Sequence, residues 1–222
     1  MIQWVIDAAR RSAADEVLVA TDDERIAVAA GALAVMTRAD HQSGTDRIAE
    51  VAALRGWGGR TIVVNVQGDE PLLPPELIDQ VASLLQDRGD ADLATLCTPI
   101  VRRAELLDPN VAKVVCGYDG MALYFSRAPI PWDRDAAVRD QAGHGEVIGA
   151  HRHLGIYAYR VEALQRLSSM PAGELETIEM LEQLRALQAG MRIVVAAAAC
   201  IPPSGVDTAE DLERVRRTLA DT

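Results

Sequence analysis

Lysine is almost missing from this chain. Lys113 is the only one in 222 residues, and every other basic residue is arginine. Chemistry that needs an ammonium group must therefore use Lys113 or be absent. Positive charge as a whole is scarce, with 22 basic against 33 acidic residues and a net charge of −11. That balance argues against a free-standing nucleic-acid binder and against docking on anionic membranes, because both need a basic surface. A small anion can still be held by local arginines or a metal ion. Cysteine is scarce too: Cys97, Cys116 and Cys200 are odd in number and form no CxxC pair. A disulfide framework or cysteine zinc site is excluded on that spacing, and a reduced, cytoplasmic compartment fits. The longest apolar run, 193–201, is far short of a membrane span. The first eleven residues carry Asp7 and no small-residue cleavage site, so they do not read as a signal peptide. Patterns of the GxSxG, HExxH and Walker A types are absent as well. What remains is 49% hydrophobic, enough for a buried core and one domain over 1–222.

Ile2, Val5, Ile6 and Ala9 recur at helical spacing and predict an amphipathic helix. Residues 16–20 (EVLVA) predict a short buried strand, after which Asp22 or Asp23 caps a helix through Ile26, Ala29 and Ala30. A strand over 34–36, a helix over 45–54 and the clearest strand, 61–66 (TIVVNV), follow. Pro74-Pro75 opens a helix through Leu77, Val81 and Leu84, and 92–100 predicts another strand. Residues 112–115 and 122–125 flank a turn at Tyr118-Asp119-Gly120 and predict a hairpin. A loop over 129–149, a strand over 153–159, a helix over 177–187, a strand over 192–198 and a last helix capped by Asp207 or Thr208 complete the pattern. The alternation predicts an α/β fold with a mostly parallel open sheet and a small antiparallel extension. The chain opens on a helix, and no glycine-rich phosphate loop precedes residue 31.

Four segments carry candidate chemistry. In VVNVQGDEP, a β-branched run ends at Gln67-Gly68-Asp69. Ligands of open α/β sheets bind beyond such strand ends, where an aspartate suits Mg²⁺ and a glycine admits close approach. The plain alternative is a turn with a solvated acid. In Gly205-Val206-Asp207-Thr208, Asp207 is either an N-cap or a second metal ligand. The polar loop 37–47 presents Ser43, Thr45 and free amides either to a nucleotide or simply to the next helix as a cap. On a strand, His151, His153, Gly155 and Tyr157 share one face. His-x-His invites zinc, but no third nitrogen or sulfur ligand is nearby, so a surface for a hydroxylated substrate fits better. Arg127 suits a bidentate carboxylate contact or a plain surface role. The acidic residues of 176–185 read as a solvated helix face with pairs such as Glu182 near Arg185.

Taken in order, MTRADHQSGTDRIAEV, VNVQGDEP, ALYFSRAPIPWDRD, RHLGIYAYR, IEMLEQLR and GVDTAEDLERVR resemble the 3-deoxy-manno-octulosonate (Kdo) cytidylyltransferases almost end to end. The resemblance implies a Rossmann-like nucleotide-diphospho-sugar transferase fold and a homodimer, with 121–160 as dimer and substrate extension and contacts around 129–134. It implies Mg²⁺-dependent transfer of a cytidylyl group from CTP to Kdo, feeding lipopolysaccharide synthesis in the cytoplasm. By position, Asp69 and Asp207 become the catalytic metal ligands. Met36, Arg38, His41, Ser43, Gly44, Thr45, Gln67 and Gly68 fall near the nucleotide. Arg127, His153, Tyr157, Glu182 and Gln183 fall around the sugar acid. Family members also carry a strand and a basic loop resembling IPARxxSxRLPGKPL ahead of where Met1 aligns, and that loop grips the triphosphate. Without it, weak turnover is the expectation. Transfer to another 2-keto sugar acid, such as a sialic acid, and a non-catalytic dimer partner are the alternatives.

Overall fold

The protein's structure is a computed structural model and describes residues 1–134, 147–203, 205–206 and 208–220. Its strands are β1 (Val19–Thr21), β2 (Ala34–Met36), β3 (Ile62–Asn65), β4 (Leu93–Pro99), β5 (Lys113–Cys116), β6 (Ala122–Ser126), β7 (His151–Arg160) and β8 (Ile193–Ala197). The long β7 organises the main sheet. One edge pairs antiparallel with β4; the other is shared by β3 at the C-terminal end of β7 and β5 at its N-terminal end. β8 adds parallel to β4, and β6 adds antiparallel to β5 as the expected hairpin. β3, β4, β5 and β8 thus run one way and β6 and β7 the other. The antiparallel strands of 121–160 are present, but β7 lies in the middle of the sheet and not at its margin. β1 and β2 form a separate parallel pair.

Helices cover both faces: α1 (Ile2–Arg10), α2 (Glu24–Ala30), α3 (Gly44–Arg55), α4 (Pro75–Asp87), α5 (Arg103–Leu107), α6 (Val161–Ser168), α7 (Glu174–Glu179), α8 (Gln183–Gln188) and α9 (Ala209–Ala220). The period of two explains the split. Leu93, Cys97, Tyr157 and Tyr159 pack towards α3, α6 and α8, while Ala94, Leu96, Leu154, Ile156 and Ala158 pack towards α4. Residues on both faces are buried, and β4 is covered from Leu93 to Thr98, its two threonines included. Truncating an anchor such as Leu77 or Leu164 to alanine would cost about 2–5 kcal/mol.

Capping resolves two alternatives. Asp23, not Asp22, caps α2 by accepting from Arg25 N and Ile26 N. Thr208 caps α9: its Oγ1 accepts from Asp211 N at 3.2 Å, and Asp211 Oδ2 accepts from Thr208 N at 3.0 Å.

The predicted helix over 177–187 is two helices. α7 ends at Glu179, Met180 takes a left-handed conformation (φ 52°, ψ 47°), and α8 starts at Gln183. A continuous helix would need the Glu179 and Met180 carbonyls for its own ladder. Arg127 takes both, through Nε at 2.7 Å and Nη2 at 3.3 Å. The expected Glu182–Arg185 pair is also replaced. Arg185 makes a buried bidentate contact with Glu176, at 2.7 and 2.5 Å, leaving Glu182 for another task.

Candidate active site

The face of β7 that bears His153, Gly155, Tyr157 and Tyr159 borders a partly open cavity of about 180 Å³. Gly155 faces open space, where a Cβ would meet nothing within 4 Å. A bulge shapes this wall: Thr95 pairs with Tyr157 but Leu96 pairs with Leu154, so Gly155 and Ile156 are extra residues on β7. An insertion of two preserves the facing of the side chains. The Thr95 hydroxyl serves the bulge, lying 3.0 Å from Leu154 O and 2.8 Å from Ile156 O.

That hydroxyl has one proton, and carbonyls can only accept it. His153 Nε2, 3.2 Å from Thr95 Oγ1, is therefore assigned as the protonated nitrogen, leaving Nδ1 as an acceptor. Burial pulls the His153 pKa down to about 3, so the ring is neutral near pH 7. Its edge-on contact with Phe125, at 5.0 Å between centroids, fixes the ring plane. Beside it, Tyr157 Oη and Gln183 Nε2 are buried with no hydrogen-bond partner among the described residues. Buried polar atoms are nearly always paired, so two orphans at one cavity mark where a ligand supplies the missing partners.

Glu182 is the one carboxylate lining the cavity among the described residues. It accepts from Ser43 Oγ at 3.0 Å and Thr45 Oγ1 at 2.9 Å. Burial raises its pKa, and those two hydroxyls oppose the rise. Ser43 does double duty, also accepting from Asp46 N as the cap of α3. Of the two readings of the 37–47 loop, the cap is the one that Ser43 shows, and its hydroxyl proton goes to Glu182. The left-handed Met180 makes this possible, since it turns the chain so that Glu182 and Gln183 reach the cavity.

A second region lies past the end of β3. Gln67 lines the cavity, whereas Gly68 and Asp69 are exposed beyond it. Asp69 O accepts from Val206 N at 2.9 Å. A Cβ on Gly205 would fall 3.0 Å from the Glu70 carboxyl and 3.1 Å from Asp69 O, so any larger residue there must push one of them back by a few tenths of an ångström. Asp207 itself lies outside the described residues. Among the described residues no three His, Cys, Asp or Glu side chains gather as metal ligands, and the His151–His153 pair gains no third member.

The remaining candidates sit elsewhere. Arg38 and His41 line a wider cleft of about 580 Å³ on the flank of α3. His41 bonds Glu50, whose carboxylate also accepts from Arg38 N at 3.1 Å. Met36 is exposed at the end of β2, and Gly44 is the first residue of α3. Arg127, expected around the sugar acid, does not line the cavity. Its guanidinium donates to the carbonyls of Pro109, Asn110, Glu179 and Met180, which leaves little for a carboxylate.

A family model described as cytidylyltransferase matches residues 1–193. The chain belongs to the cytidylyltransferase family. A 3-deoxy-manno-octulosonate cytidylyltransferase of Pseudomonas fluorescens is 55% identical over 222 residues, covering 99% of this chain and 87% of that protein. One from Thioalkalivibrio sulfidiphilus is 53% identical, covering 99% and 88%. Among solved structures, a CMP:2-keto-3-deoxy-manno-octonic acid synthetase complexed with CTP matches with a TM-score of 0.87 and 40% identity, over 99% of this chain and 87% of that one. The fold is also shared with a 4-diphosphocytidyl-2C-methyl-D-erythritol synthase, at a TM-score of 0.60 and 13% identity, over 98% and 89%.

Within this family site, sequence reasoning missed Thr95, Asn65 and Tyr159. Asn65 and Tyr159 line the cavity. Both had a signal in period two: Asn65 precedes Gln67 by two residues, and Tyr159 follows Tyr157 by two. Thr95 had none, because it becomes special only through the bulge opposite it.

Proposed function

We propose that this cytidylyltransferase moves a cytidylyl group from CTP to Kdo, forming CMP-Kdo and pyrophosphate. The observation that carries the reading is the polar cavity whose donors Tyr157 Oη and Gln183 Nε2 have no partner and whose one carboxylate, Glu182, is held by two hydroxyls. Such walls suit a hydroxylated sugar acid, which brings acceptors for both. The bond that forms joins the sugar's anomeric oxygen to the α-phosphorus; the bond from the α-phosphorus to the bridging oxygen breaks and frees pyrophosphate, and the hydroxyl proton passes to solvent. Tyr157 and Gln183 donate to sugar oxygens, His153 Nδ1 accepts from a sugar hydroxyl, and Glu182 is held by Ser43 and Thr45 to accept another. Most of the acceleration comes from this positioning.

Asp69 and Asp207 would hold Mg²⁺. The fit rests on an exposed carboxylate past a strand end, with the residue before Asp207 bonded to Asp69's own carbonyl. Two carboxylates and phosphate oxygens make an ordinary Mg²⁺ environment. When bound, the ion lowers the pKa of the sugar hydroxyl and neutralises charge between two anions.

The test combines calorimetry of Kdo binding with product analysis after incubation with CTP, Kdo and Mg²⁺. Kdo binding with CMP-Kdo formed, even slowly, supports the reading. Neither binding nor product overturns it, and preferential use of a sialic acid reassigns the substrate. We also propose a homodimer, for which exposed Leu123 and Trp132 are the support, and a cytoplasmic location, for which the three free cysteines are. Light scattering at two protein concentrations tests the first.

A further inference from the structure

The only lysine is fully buried, on β5, away from the cavity lining. Its ammonium meets three main-chain carbonyls: Asp108 at 3.0 Å, Val111 at 2.7 Å and Arg127 at 2.5 Å. Burial lowers its pKa, yet all three donors are satisfied and no carboxylate is needed to hold it. Arg127 then reaches the other way. Its guanidinium takes Pro109 and Asn110 of the loop that Lys113 also caps, and the Glu179 and Met180 carbonyls at the break between α7 and α8. Glu179 closes the contact, accepting from Arg127 N at 2.8 Å and Ser126 Oγ at 2.6 Å. Two cations thus bind seven carbonyl oxygens and join three segments: the 108–111 loop, the exit of β6 and the turn before Glu182.

We propose that Lys113, acting through Arg127, is a positioning residue for the sugar-acid site. The pair holds the Glu179–Met180 turn that delivers Glu182 and Gln183 to the cavity. The chain of contacts explains why an arginine-rich protein has a lysine here. A compact ammonium fits a cage of three carbonyls, whereas a planar guanidinium does not. It also gives Arg127 a task without touching substrate. The inference rests on the substrate reading above only for what the site binds.

Three variants test it: Lys113→Met, Arg127→Met, and Leu85→Ala as a stability control in α4 on the far face of the sheet. Each is titrated with Kdo and CTP by calorimetry, and amide hydrogen exchange is followed over 180–185. The expected result is a tenfold or greater loss of Kdo affinity in both cation variants, with CTP affinity within twofold and faster exchange at 180–185. Leu85→Ala should lower Tm without either change. Kdo affinity and exchange both unchanged in the cation variants would overturn the inference. If Lys113→Met does not fold, Arg127→Met alone decides. If the unsubstituted chain does not bind Kdo, the substrate reading falls, and exchange at 180–185 still decides whether the pin holds the turn.

Discussion

The cavity and the strand-end rim lie side by side but are built on opposite terms. The cavity is recessed, its one carboxylate is pinned by two hydroxyls, and burial keeps His153 neutral. The rim is exposed, carries Asp69, and depends on a glycine contact between two loops. A packed wall whose polar groups are fixed selects by shape and hydrogen-bond pattern; an exposed carboxylate acts through charge. Binding and chemistry should therefore respond separately to substitution.

The sharpest way to break that division is Asp69→Asn. Activity should fall by about three decades, the scale of the several kcal/mol of charge stabilisation that a cation held by Asp69 would supply, while Kdo affinity stays within about twofold. Parallel loss of Kdo binding would show that rim and cavity are one site.

His153 gives the next effect, through pH. Its pKa is about 3 in the folded chain against an ordinary 6.5. On acidification the unfolded chain takes the proton first, so the stability this group contributes is full above 6.5 and is lost as pH falls towards 3. Between pH 7 and pH 5 the loss should reach at most about 2 kcal/mol by urea denaturation. His153→Gln should flatten that slope, and an unchanged slope would assign it to other groups.

Tyr157→Phe removes a hydroxyl that makes no full hydrogen bond among the described residues, with the Thr95 side chain its polar neighbour. Stability should hold or rise slightly, while Kdo affinity falls by about tenfold, the worth of about 1.5 kcal/mol for one hydrogen bond. Equal affinity would mean that Oη does not meet the ligand.

The smallest effect is expected at Met180, exposed and left-handed. Met180→Gly should raise stability by about 1 kcal/mol in thermal unfolding, with Kdo binding retained. Destabilisation would show that its side chain contributes more than its backbone strain costs.

Much of the frame was legible beforehand. Strands at 34–36 and 61–66, the helix after Pro74-Pro75 and the 112–125 hairpin follow from local patterns that the structure repeats closely. Tyr157, Glu182 and Gln183, placed by motif around the sugar acid, line one cavity, and Gln67, placed by motif near the nucleotide, lines it too. The misses share a cause. The break at Met180, the exchange of Arg185's partner and Arg127's carbonyl contacts all arise where distant segments compete for backbone groups that local spacing assigns to a helix.

Period, caps and strand-end motifs depend on neighbours a few residues apart, so the chain's letters alone determined its α/β character and which segments carry chemistry. The central place of β7, the bulge that Thr95 serves and the turn that Lys113 and Arg127 hold were decided only in the folded molecule. Each depends on which carbonyls are left without partners once the sheet has closed around them, and that is settled by packing across the whole chain.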